Sequence, residues 1–365
     1  MRRLPMVILV LVVIIGAVVV ALTKWETNEY AITPGNATPV EGLVHITRLP
    51  TTSRHDTIML TDVYLQQLTA WQYLTMHFQS HVQFVNGNEL LEPGIPNAEL
   101  APQGFLEMSD SKQDAEVSAF DALGWHLRAT PSGSLVTGVE NPSPAWSAKI
   151  HVADEIVGFD GRAVTSTCQV VGDVHPLSPG TKVTLELRRA HFSKIGVISW
   201  SSPTMVHLTT TKTPRGVSSS GCINVKGSSP SWLGVSLEDG FAYQFPARVS
   251  IDTANIGGPS AGLAMTLCII DELSRGSLTG HHNVAATGAI DQFGDVGDVG
   301  GVAEKTVAVQ RAGAQYFIVP QIEVATAKAN AAPGLHIIGV TSLEQALRAL
   351  RRIGGAKPVP LTAPD

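Results

Sequence analysis

The first strong pattern along the chain is an unbroken apolar segment at its N-terminus. Leu4 through Leu22 contains no charged residue, and Arg2 and Arg3 precede it. As an α-helix this segment is about 28 Å long, close to the ~30 Å hydrocarbon core of a bilayer. It exceeds the apolar part of a cleaved signal peptide, and Val19-Val20-Ala21 is a weak cleavage sequence. Residues 1–23 are therefore predicted to be a retained transmembrane anchor, with a cytoplasmic N-terminus and the rest of the chain outside the cytoplasm.

Shorter apolar patterns follow in residues 24–123. Alternating positions bounded by turn residues predict three short strands, at Glu29–Thr33, Leu43–Leu49 and Thr57–Tyr64. Residues 65–90 are helix-like, because apolar side chains recur there at spacings of three or four: Leu68, Trp71, Leu74 and Phe78. Residues 24–123 are predicted to form a small α/β region that offers no candidate chemistry.

The rest of the chain divides into a β-rich part and an alternating part. Residues 124–212 are mostly strand-like, and the Thr-, Ser-, Gly- and Pro-rich stretch that follows predicts a domain boundary. Residues 213–352 alternate strands and helices, which favours an α/β or α+β domain. Residues 353–365 contain three prolines and are predicted to be a disordered tail. The predicted fold class of the whole chain is α+β.

Composition narrows the classes of function. The 365 residues are 44% hydrophobic, and the net charge of −6 comes without a long basic run, so neither wholesale disorder nor a nucleic-acid partner is expected. The three cysteines match no zinc spacing and no disulfide framework, and a Cys168–Cys222 bridge stays open because sequence does not show proximity. The sequence contains neither His-Glu-x-x-His nor a nucleotide-binding Gly-x-x-x-x-Gly-Lys-[Ser/Thr] loop, so no metal or nucleotide cofactor is predicted.

Candidate chemistry begins at the stretch Ile256-Gly257-Gly258-Pro259-Ser260-Ala261-Gly262, where a predicted strand gives way to a helix. Glycines permit a sharp turn and close approach of a substrate, and proline favours a helix start. Ser260 then lies in the first helical turn, where free backbone N–H groups and the positive end of the helix dipole can stabilise an oxyanion. Such a turn is by itself more often a helix cap than an active site.

A serine hydroxyl needs a base to become nucleophilic, and Lys305 is the candidate. Val302, Lys305 and Val309 share an apolar stripe of a predicted helix. An ammonium in apolar surroundings loses hydration, so its pKa falls from about 10.4 and the neutral amine can accept the serine proton. Spacing alone leaves the alternative that Lys305 forms a surface pair with Glu304 or Asp298. The twelve histidines form no local catalytic signature.

Together these motifs resemble the proteolytic domain of the Lon family. The resemblance covers roughly Trp232–Arg352 and is carried by three motifs in order: Gly258-Pro259-Ser260-Ala261-Gly262, then Ala286-Thr287-Gly288-Ala289-Ile290, then Gly300-Gly301-Val302-Ala303-Glu304-Lys305 with Arg311-Ala312-Gly313. The resemblance implies a Ser–Lys dyad in which Ser260 is the nucleophile and Lys305 the base. It implies that Thr287 orients the lysine. Gly258, Pro259 and Ala261 are then the supporting residues of the nucleophile turn.

The chain departs from full-length Lon in ways that matter for its function. Gly257 stands where Lon has Asp before its Gly-Pro-Ser, and Asp291 stands where Lon commonly has threonine. Because no nucleotide-binding loop is present, the resemblance implies an ATP-independent peptidase limited to unfolded or extended polypeptides. Lon-type domains commonly form hexameric rings, so a homo-oligomer is expected from the family alone.

The β-rich part resembles a bacterial PDZ domain. Gly133–Val139, Ser143-Pro144-Ala145 and Asp154–Gly161 carry the resemblance, with Ala153-Asp154 in place of the usual Gly-Asp. Leu123-Gly124-Trp125 matches the loop whose backbone amides bind a peptide carboxylate in such domains. PDZ domains add a peptide as an extra strand at a sheet edge, so this part is expected to bind peptides. The alternative is a β-domain that serves only as a spacer.

The complete pattern resembles the membrane-bound Lon-like PDZ proteases of bacteria. It predicts a serine endopeptidase at the cell membrane, attached by one helix, with its catalytic domain outside the cytoplasm and its polypeptide substrate positioned by the PDZ-like domain. Two alternatives remain. One is a non-catalytic scaffold that binds peptide tails, and the other is a regulatory partner of a separate membrane protease, docked through residues 24–123.

Overall fold

A computed structural model describes residues 3–361 except 52–56, 92–93, 194–195, 216–221, 223–229 and 275–276. The described helices are α1 Arg3–Lys24, α2 Ala70–Met76, α3 Gly87–Leu90, α4 Leu100–Ala122, α5 Pro144–Ser147, α6 Thr167–Val174, α7 Gly262–Leu273, α8 Val302–Arg311, α9 Val324–Asn330 and α10 Leu343–Arg352. Short 3₁₀ helices lie at Asn97–Glu99, Pro259–Ala261 and Gln321–Glu323.

The described strands alternate with these helices, so the fold class is α+β as predicted. They are β1 Glu26–Pro39, β2 Val44–Thr47, β3 Thr57–Thr69, β4 Gln83–Asn86, β5 Ala129–Val139, β6 Asp154–Phe159, β7 Arg162–Ala163, β8 Lys182–Ser193, β9 Gly196–Trp200, β10 Thr204–Thr209, β11 Thr211–Lys212, β12 Ser231–Trp232, β13 Val235–Tyr243, β14 Arg248–Ile251, β15 Asn283–Ala286, β16 Ala289–Ile290, β17 Val296–Gly297, β18 Tyr316–Pro320 and β19 His336–Val340.

The N-terminal helix α1 is long and apolar enough to cross a membrane. Its stretch Met6–Lys24 has a mean hydropathy of 3.3, and none of it is buried against the rest of the protein. A helix that is apolar on every face and stays exposed lacks the polar face that a surface helix of a soluble domain presents to water.

One mixed sheet unites the beginning and the end of the chain. Its strand order is β19-β18-β15-β3-β1-β4. The central strand β15 pairs in parallel with β18 on one side and with β3 on the other. Residues 24–123, expected to form a region of their own, therefore supply three strands of the sheet that carries the C-terminal motifs. The PDZ-like part is inserted between these two halves of one sheet.

The core beneath this sheet is built around α7. Almost every residue of α7 is buried, because the helix packs against α4 as well as against the strands. Leu263, Leu267 and Ile270 are fully buried together with Phe120 of α4. Burying each such side chain stabilises the fold by about 1.5–3 kcal/mol relative to leaving it in water. This packing fixes α4, from the first half of the chain, against the helix that follows Ser260.

A second sheet forms the PDZ-like part, with the strand order β10-β8-β6-β5-β13. Side chains alternate between its two faces as the pleat requires. Val136, Ile156 and Leu187 point into a separate hydrophobic core. The strand β13 lies beyond the linker, yet it pairs antiparallel with β5 over the full length of both strands. The chain therefore covers this edge of β5 with a strand that leads directly back to the catalytic half.

A disulfide joins α6 of the PDZ-like part to the linker. Cys168 and Cys222 are bonded, with Cα atoms 5.4 Å apart, while Cys268 is a buried free thiol in α7. The sequence pattern left this bridge open, because 54 residues separate the two cysteines and no local signal reports their proximity.

Two expectations differ from the structure. The helix-like pattern of residues 65–90 is realised as the end of β3, the short helix α2, strand β4 and helix α3, because Leu68 is buried at the end of a paired strand. The tail beyond residue 352 was expected to be disordered, but its described part is attached to the body. The N–H of Ala356 donates to the oxygen of Ser277 at 2.7 Å, and that of Leu361 to the oxygen of Leu123 at 2.8 Å.

Candidate active site

Ser260 lies in a tight turn at the start of α7. The 3₁₀ helix Pro259–Ala261 passes directly into α7, and Gly258 precedes it with φ +83°. Only glycine adopts that left-handed conformation without strain. Ser260 is half-buried, so its side chain lies at the boundary between the core and the surface. The turn predicted from the Gly-Pro-Ser pattern is therefore present at this position.

Helix α4 contacts this turn directly. The N–H of Gly258 donates to the oxygen of Gly104 at 2.7 Å, and the hydroxyl of Ser111 donates to the oxygen of Pro259 at 2.9 Å. The helices approach so closely that a Cβ on Gly262 would lie 2.8 Å from the Ser111 oxygen. The turn that carries Ser260 is thus fixed from outside the stretch that carries the sequence motifs.

Lys305 lies in the first turns of α8 with its amine inside the protein. Its side chain is only 1% exposed, although it carries a titratable group. Burial lowers the pKa of Lys305 to about 8, against the opposing effect of the carboxylates of Glu323 and Asp62. The surface ion pair that spacing left open is therefore not the arrangement adopted. An amine with this pKa is partly neutral near physiological pH, as a general base requires.

Thr287 connects Lys305 to the turn that carries Ser260. Its hydroxyl accepts a hydrogen bond from the Lys305 amine at 3.2 Å and donates one to the backbone oxygen of Ser260 at 3.1 Å. The N–H of Gly288 donates to the same oxygen at 2.9 Å. Thr287 is fully buried, so these bonds form away from bulk water. One hydroxyl group thus bridges the main chain of Ser260 and the side chain of Lys305.

Several residues of this site carry no local sequence signal. Ser111 is 148 residues before Pro259, and Asp62 of β3 reaches the surroundings of Lys305 only because β3 joins the sheet of β15. Glu323 accepts a hydrogen bond from the N–H of Val299 at 2.9 Å beside the start of α8. These contacts depend on how helices and strands from separate parts of the chain pack together, which periodicity does not report.

The predicted peptide-binding loop of the PDZ-like part is engaged within the chain. Leu123 is fully buried. The N–H of Gly124 donates to the oxygen of Asp121 at 2.9 Å, and that of Trp125 to the oxygen of Phe120 at 2.8 Å. Both amides thereby close the C-terminal end of α4. A peptide carboxylate at this loop would have to replace those bonds.

A cavity of about 750 Å³ separates α4 from the outer face of the PDZ-like sheet. Leu135 and the ion-paired Glu155 and Arg188 line one wall of it. Asp110 and Asp114 of α4 line the other. Burial together with neighbouring carboxylates raises the pKa of both aspartates to about 7. Helix α4, which contacts the turn of Ser260, therefore also carries carboxyl groups with a pKa near neutral pH.

Comparison with known proteins locates two domains in the chain. Residues 252–350 match the family model of the Lon protease (S16) C-terminal proteolytic domain, and residues 121–194 match that of the PDZ domain. The first match contains Ser260, Thr287 and Lys305. The second contains the loop at residue 124 and strands β5 to β8.

Several Lon proteases are similar to the chain over its C-terminal part. The Lon protease of Rickettsia felis is 34% identical over 94 residues, which are 25% of this chain and 12% of the relative. That of Clostridium acetobutylicum is 44% identical over 64 residues, covering 18% of this chain and 8% of the relative. The chain thus spans only a small fraction of these relatives' length.

One solved structure is similar to part of the chain. The PDZ domain of an SdrC-like protein from Listeria monocytogenes covers 30% of this chain and 92% of its own length, at 17% identity and a TM-score of 0.22. The fold and the family matches together define the class: a chain with a PDZ domain and a Lon-type proteolytic domain, preceded by an apolar helix. The proteolytic domain supports a serine peptidase.

Proposed function

We propose that this protein is a membrane-anchored, ATP-independent serine endopeptidase that cleaves unfolded or extended polypeptides outside the cytoplasm. Ser260 is the nucleophile and Lys305 the general base. The observation that carries the proposal is the buried hydrogen-bond chain from the Lys305 amine through the Thr287 hydroxyl to the Ser260 backbone. A partly neutral amine, joined through one hydroxyl to the turn that carries Ser260, supports the assignment of base and nucleophile.

The reaction follows from these groups. The Lys305 amine takes the proton from the Ser260 hydroxyl as its oxygen bonds to the scissile carbonyl carbon. The N–H of Ser260 at the start of α7 is the donor that stabilises the negative oxygen of the tetrahedral intermediate. The 3₁₀ helix engages the N–H of Ala261, and the N–H groups of Gly258 and Gly262 donate to the oxygens of Gly104 and Pro259. The ammonium then returns the proton to the leaving nitrogen as the C–N bond breaks. Water, deprotonated by Lys305, hydrolyses the resulting ester and releases Ser260.

Hydrolysis of an unstructured protein by the full-length chain tests the assignment. Ser260→Ala and Lys305→Met are each expected to lower kcat by at least about a thousandfold, because nucleophile and base act as a unit. The matched controls Ser178→Ala and Lys328→Met change exposed residues of the same types and are expected to keep the activity. The rate is expected to be the same with and without ATP.

Full activity of Ser260→Ala would contradict the assignment. It would favour the alternative of a peptide-binding scaffold. Activity that appears only when a second membrane protease is present in the sample would favour the regulatory alternative. A ring oligomer stays an expectation from the family resemblance, and the mass of the detergent-solubilised chain tests it.

The anchor and the location outside the cytoplasm rest on two further observations. Residues Met6–Lys24 form an exposed apolar helix of bilayer length. The Cys168–Cys222 disulfide lies in the part that the arginines before α1 place outside the cytoplasm. Disulfides persist in oxidising compartments and are rare in the cytosol. The pairing thus supports the same topology as the charge pattern.

The PDZ-like domain is proposed to position the substrate along β13 rather than along β5. The strand β13 pairs with β5 on one side and is the terminal strand of its sheet among the described residues. An extended polypeptide adding to the sheet in the manner of PDZ ligands would pair with the outer edge of β13. The strand β14 begins at Arg248, a few residues after β13 ends at Tyr243, and the chain then continues to the turn of Ser260. A segment bound along β13 would therefore lie beside the strand that connects to the catalytic half.

A further inference from the structure

Three large apolar side chains of one short helix and its continuation face away from the protein. Trp71 and Leu74 of α2 and the following Phe78 are 39%, 53% and 92% exposed. Their spacing of three and four places them on one side of a helical turn. Tyr73 and His77 lie on another side, where both rings pack against Phe84 of β4. The helix therefore has an attached face and an apolar face directed outward.

This outward face is fixed in place. The Thr69 hydroxyl accepts from the N–H of Gln72, and the Gln72 side chain accepts from the N–H of Thr69, a reciprocal cap at the start of α2. The two ring contacts with Phe84 fix the other face. Because α2 cannot rotate without breaking these contacts, the apolar side chains cannot turn inward. Leaving a large apolar side chain in water forgoes about 1.5–3 kcal/mol of burial free energy. An apolar partner that covers Trp71, Leu74 and Phe78 would therefore be stabilising.

The position of α2 identifies that partner. The N–H of Ala70, the first residue of α2, donates to the oxygen of Trp25 at 2.9 Å. Trp25 directly follows α1 and is itself 66% exposed. The helix α2 also contacts α1. The outward face of α2 therefore lies at the level where the apolar helix α1 ends.

We propose that the protein has a second membrane contact, an apolar patch that lies in the interfacial layer of the bilayer beside the end of α1. The patch consists of Trp25, Trp71, Leu74 and Phe78. The proposal rests on the anchoring role proposed for α1. Tryptophan is enriched at this layer because its ring is apolar and its N–H is polar. An apolar helix face lying in the interface is a known mode of membrane attachment. Two attachments, α1 and α2, fix the orientation of the catalytic half above the membrane, whereas a single helix would leave it free to swing.

An environment-sensitive fluorophore on residue 78 tests the contact. The full-length Phe78→Cys chain is labelled with a nitrobenzoxadiazole dye and inserted in phosphatidylcholine–phosphatidylglycerol vesicles. The introduced thiol is the reactive one, because Cys268 is buried and Cys168 is bonded to Cys222. Phe293→Cys, at an 82% exposed phenylalanine of the β16–β17 hairpin, is the matched control. At residue 78 the emission is expected to shift to the blue and to be quenched by lipids with a quencher near the headgroup. At residue 293 it is expected to stay water-like.

A second measurement avoids the introduced thiol. Brominated lipids quench tryptophans that contact the bilayer, and Trp71→Gln is expected to remove part of the quenched emission. Trp200→Gln, in the PDZ-like part, is expected to leave the quenched emission unchanged. Water-like emission at residue 78 together with equal effects of the two tryptophan changes would overturn the proposal.

Separate readouts distinguish this proposal from the proposed function. Flotation of the vesicles after alkaline extraction reports whether α1 is inserted. Chain that fails to float would overturn both the anchor and the patch. If the protein floats with the vesicles but the fluorophore on residue 78 shows water-like emission, the patch alone would be overturned. Peptidase activity on a soluble unstructured protein depends on Ser260 and Lys305 and is expected to be equal in the Phe78→Cys and Phe293→Cys chains.

Discussion

The hydroxyl of Ser111 donates a hydrogen bond to the backbone oxygen of Pro259, the residue immediately before Ser260, at 2.9 Å. Ser111 is 2% exposed, so the bond is shielded from water. Helix α4 thereby reaches from the first half of the chain to the turn that presents the candidate nucleophile. Residues that no family motif includes contribute to the geometry of the site.

Replacing Ser111 by alanine is expected to slow catalysis. Removal of the hydroxyl leaves the Pro259 oxygen with the N–H of Gly262 as its partner. Losing one such hydrogen bond costs about 0.5–1.5 kcal/mol, which lowers kcat by about 2- to 10-fold if the turn shifts. KM for an unstructured substrate is expected to change little, since Ser111 lies beneath the turn. Steady-state kinetics on the full chain provide the measurement. The control is Ser118→Ala on the same helix, whose hydroxyl donates to Asp291 instead. Equal losses of kcat in both variants would contradict a specific role for Ser111.

Local patterns of the sequence were sufficient to predict the parts of the site that lie within single elements. A Gly-Pro-Ser turn before an apolar run predicts the start of α7, and the spacing of Val302 and Val309 predicts the inward direction of Lys305. The pairing of β15 with β3 was not predictable in this way. The two strands are separated in sequence by the whole PDZ-like part, and strands buried on both faces read alike whichever neighbour they pair with.

The apolar stripe of residues 65–90 shows a second limit of sequence patterns. Periodicity predicted a helix there, and Trp71, Leu74 and Phe78 do lie on one side of helical backbone. Periodicity does not report what covers such a stripe. The structure places Leu68 in the core and leaves the other three exposed, because the chain changes from strand to helix between them.

Removing the hydroxyl of Thr287 is expected to change the pH dependence of the reaction as well as its rate. That hydroxyl accepts from the Lys305 amine and so stabilises the ammonium form. Thr287→Val is therefore expected to lower the pKa of Lys305 further and to move the acidic limb of the pH–rate profile to lower pH. It is also expected to lower kcat by about 10–100-fold through misplacement of the amine. Thr287→Ser keeps a hydroxyl, so it is expected to retain most of kcat and a pH–rate profile close to that of the wild type. Equal impairment of the valine and serine variants would contradict this role.

The buried amine of Lys305 is expected to lower the stability of the native protein. Its pKa is about 8 when folded and near 10.5 when unfolded. At pH 7 both states bind the proton, and burying the charge costs about 3 kcal/mol at most, from 1.36 kcal/mol per pKa unit. Between pH 8 and 10.5 the unfolded state binds more protons, so stability is regained as pH rises. Lys305→Met is therefore expected to unfold at a higher temperature than the wild type at pH 7, by a margin that shrinks at pH 9.5. Lys328→Met, at an exposed lysine, is the control, and a margin independent of pH would contradict the buried-amine account.

The carboxyl groups of α4 are expected to affect the stability of the folded protein with the opposite pH dependence, so that stability falls as pH rises. The pKa of Asp110 is raised to about 7 by burial and by Glu238, Asp114 and Glu107, so the folded state binds a proton that the unfolded state releases near pH 4. Stability is then lost as pH rises from about 4 to 7. Asp110→Asn cannot ionise and is expected to raise the thermal midpoint at pH 8 more than at pH 5. The exposed Asp295→Asn serves as the control. A gain of equal size at both pH values would show that ionisation of the buried Asp110 carboxyl is not its cause.

The disulfide between Cys168 and Cys222 is expected to stabilise the connection between the PDZ-like part and the catalytic half. The two cysteines are 54 residues apart in the sequence. Removing such a bridge lowers the free energy of unfolding by about 2–5 kcal/mol in small extracellular domains. Cys168→Ser with Cys222→Ser is therefore expected to lower the thermal midpoint and to raise the rate of hydrogen exchange in β5 and β13, with Ser260 chemistry unchanged at low temperature. Cys268→Ala, which removes a buried thiol without adding a polar group, is the control for loss of a thiol. Mass spectrometry of chain alkylated in intact cells checks the topology at the same time. A bonded pair there supports the location outside the cytoplasm, whereas two freely alkylated thiols in the native protein would contradict both the bridge and that location.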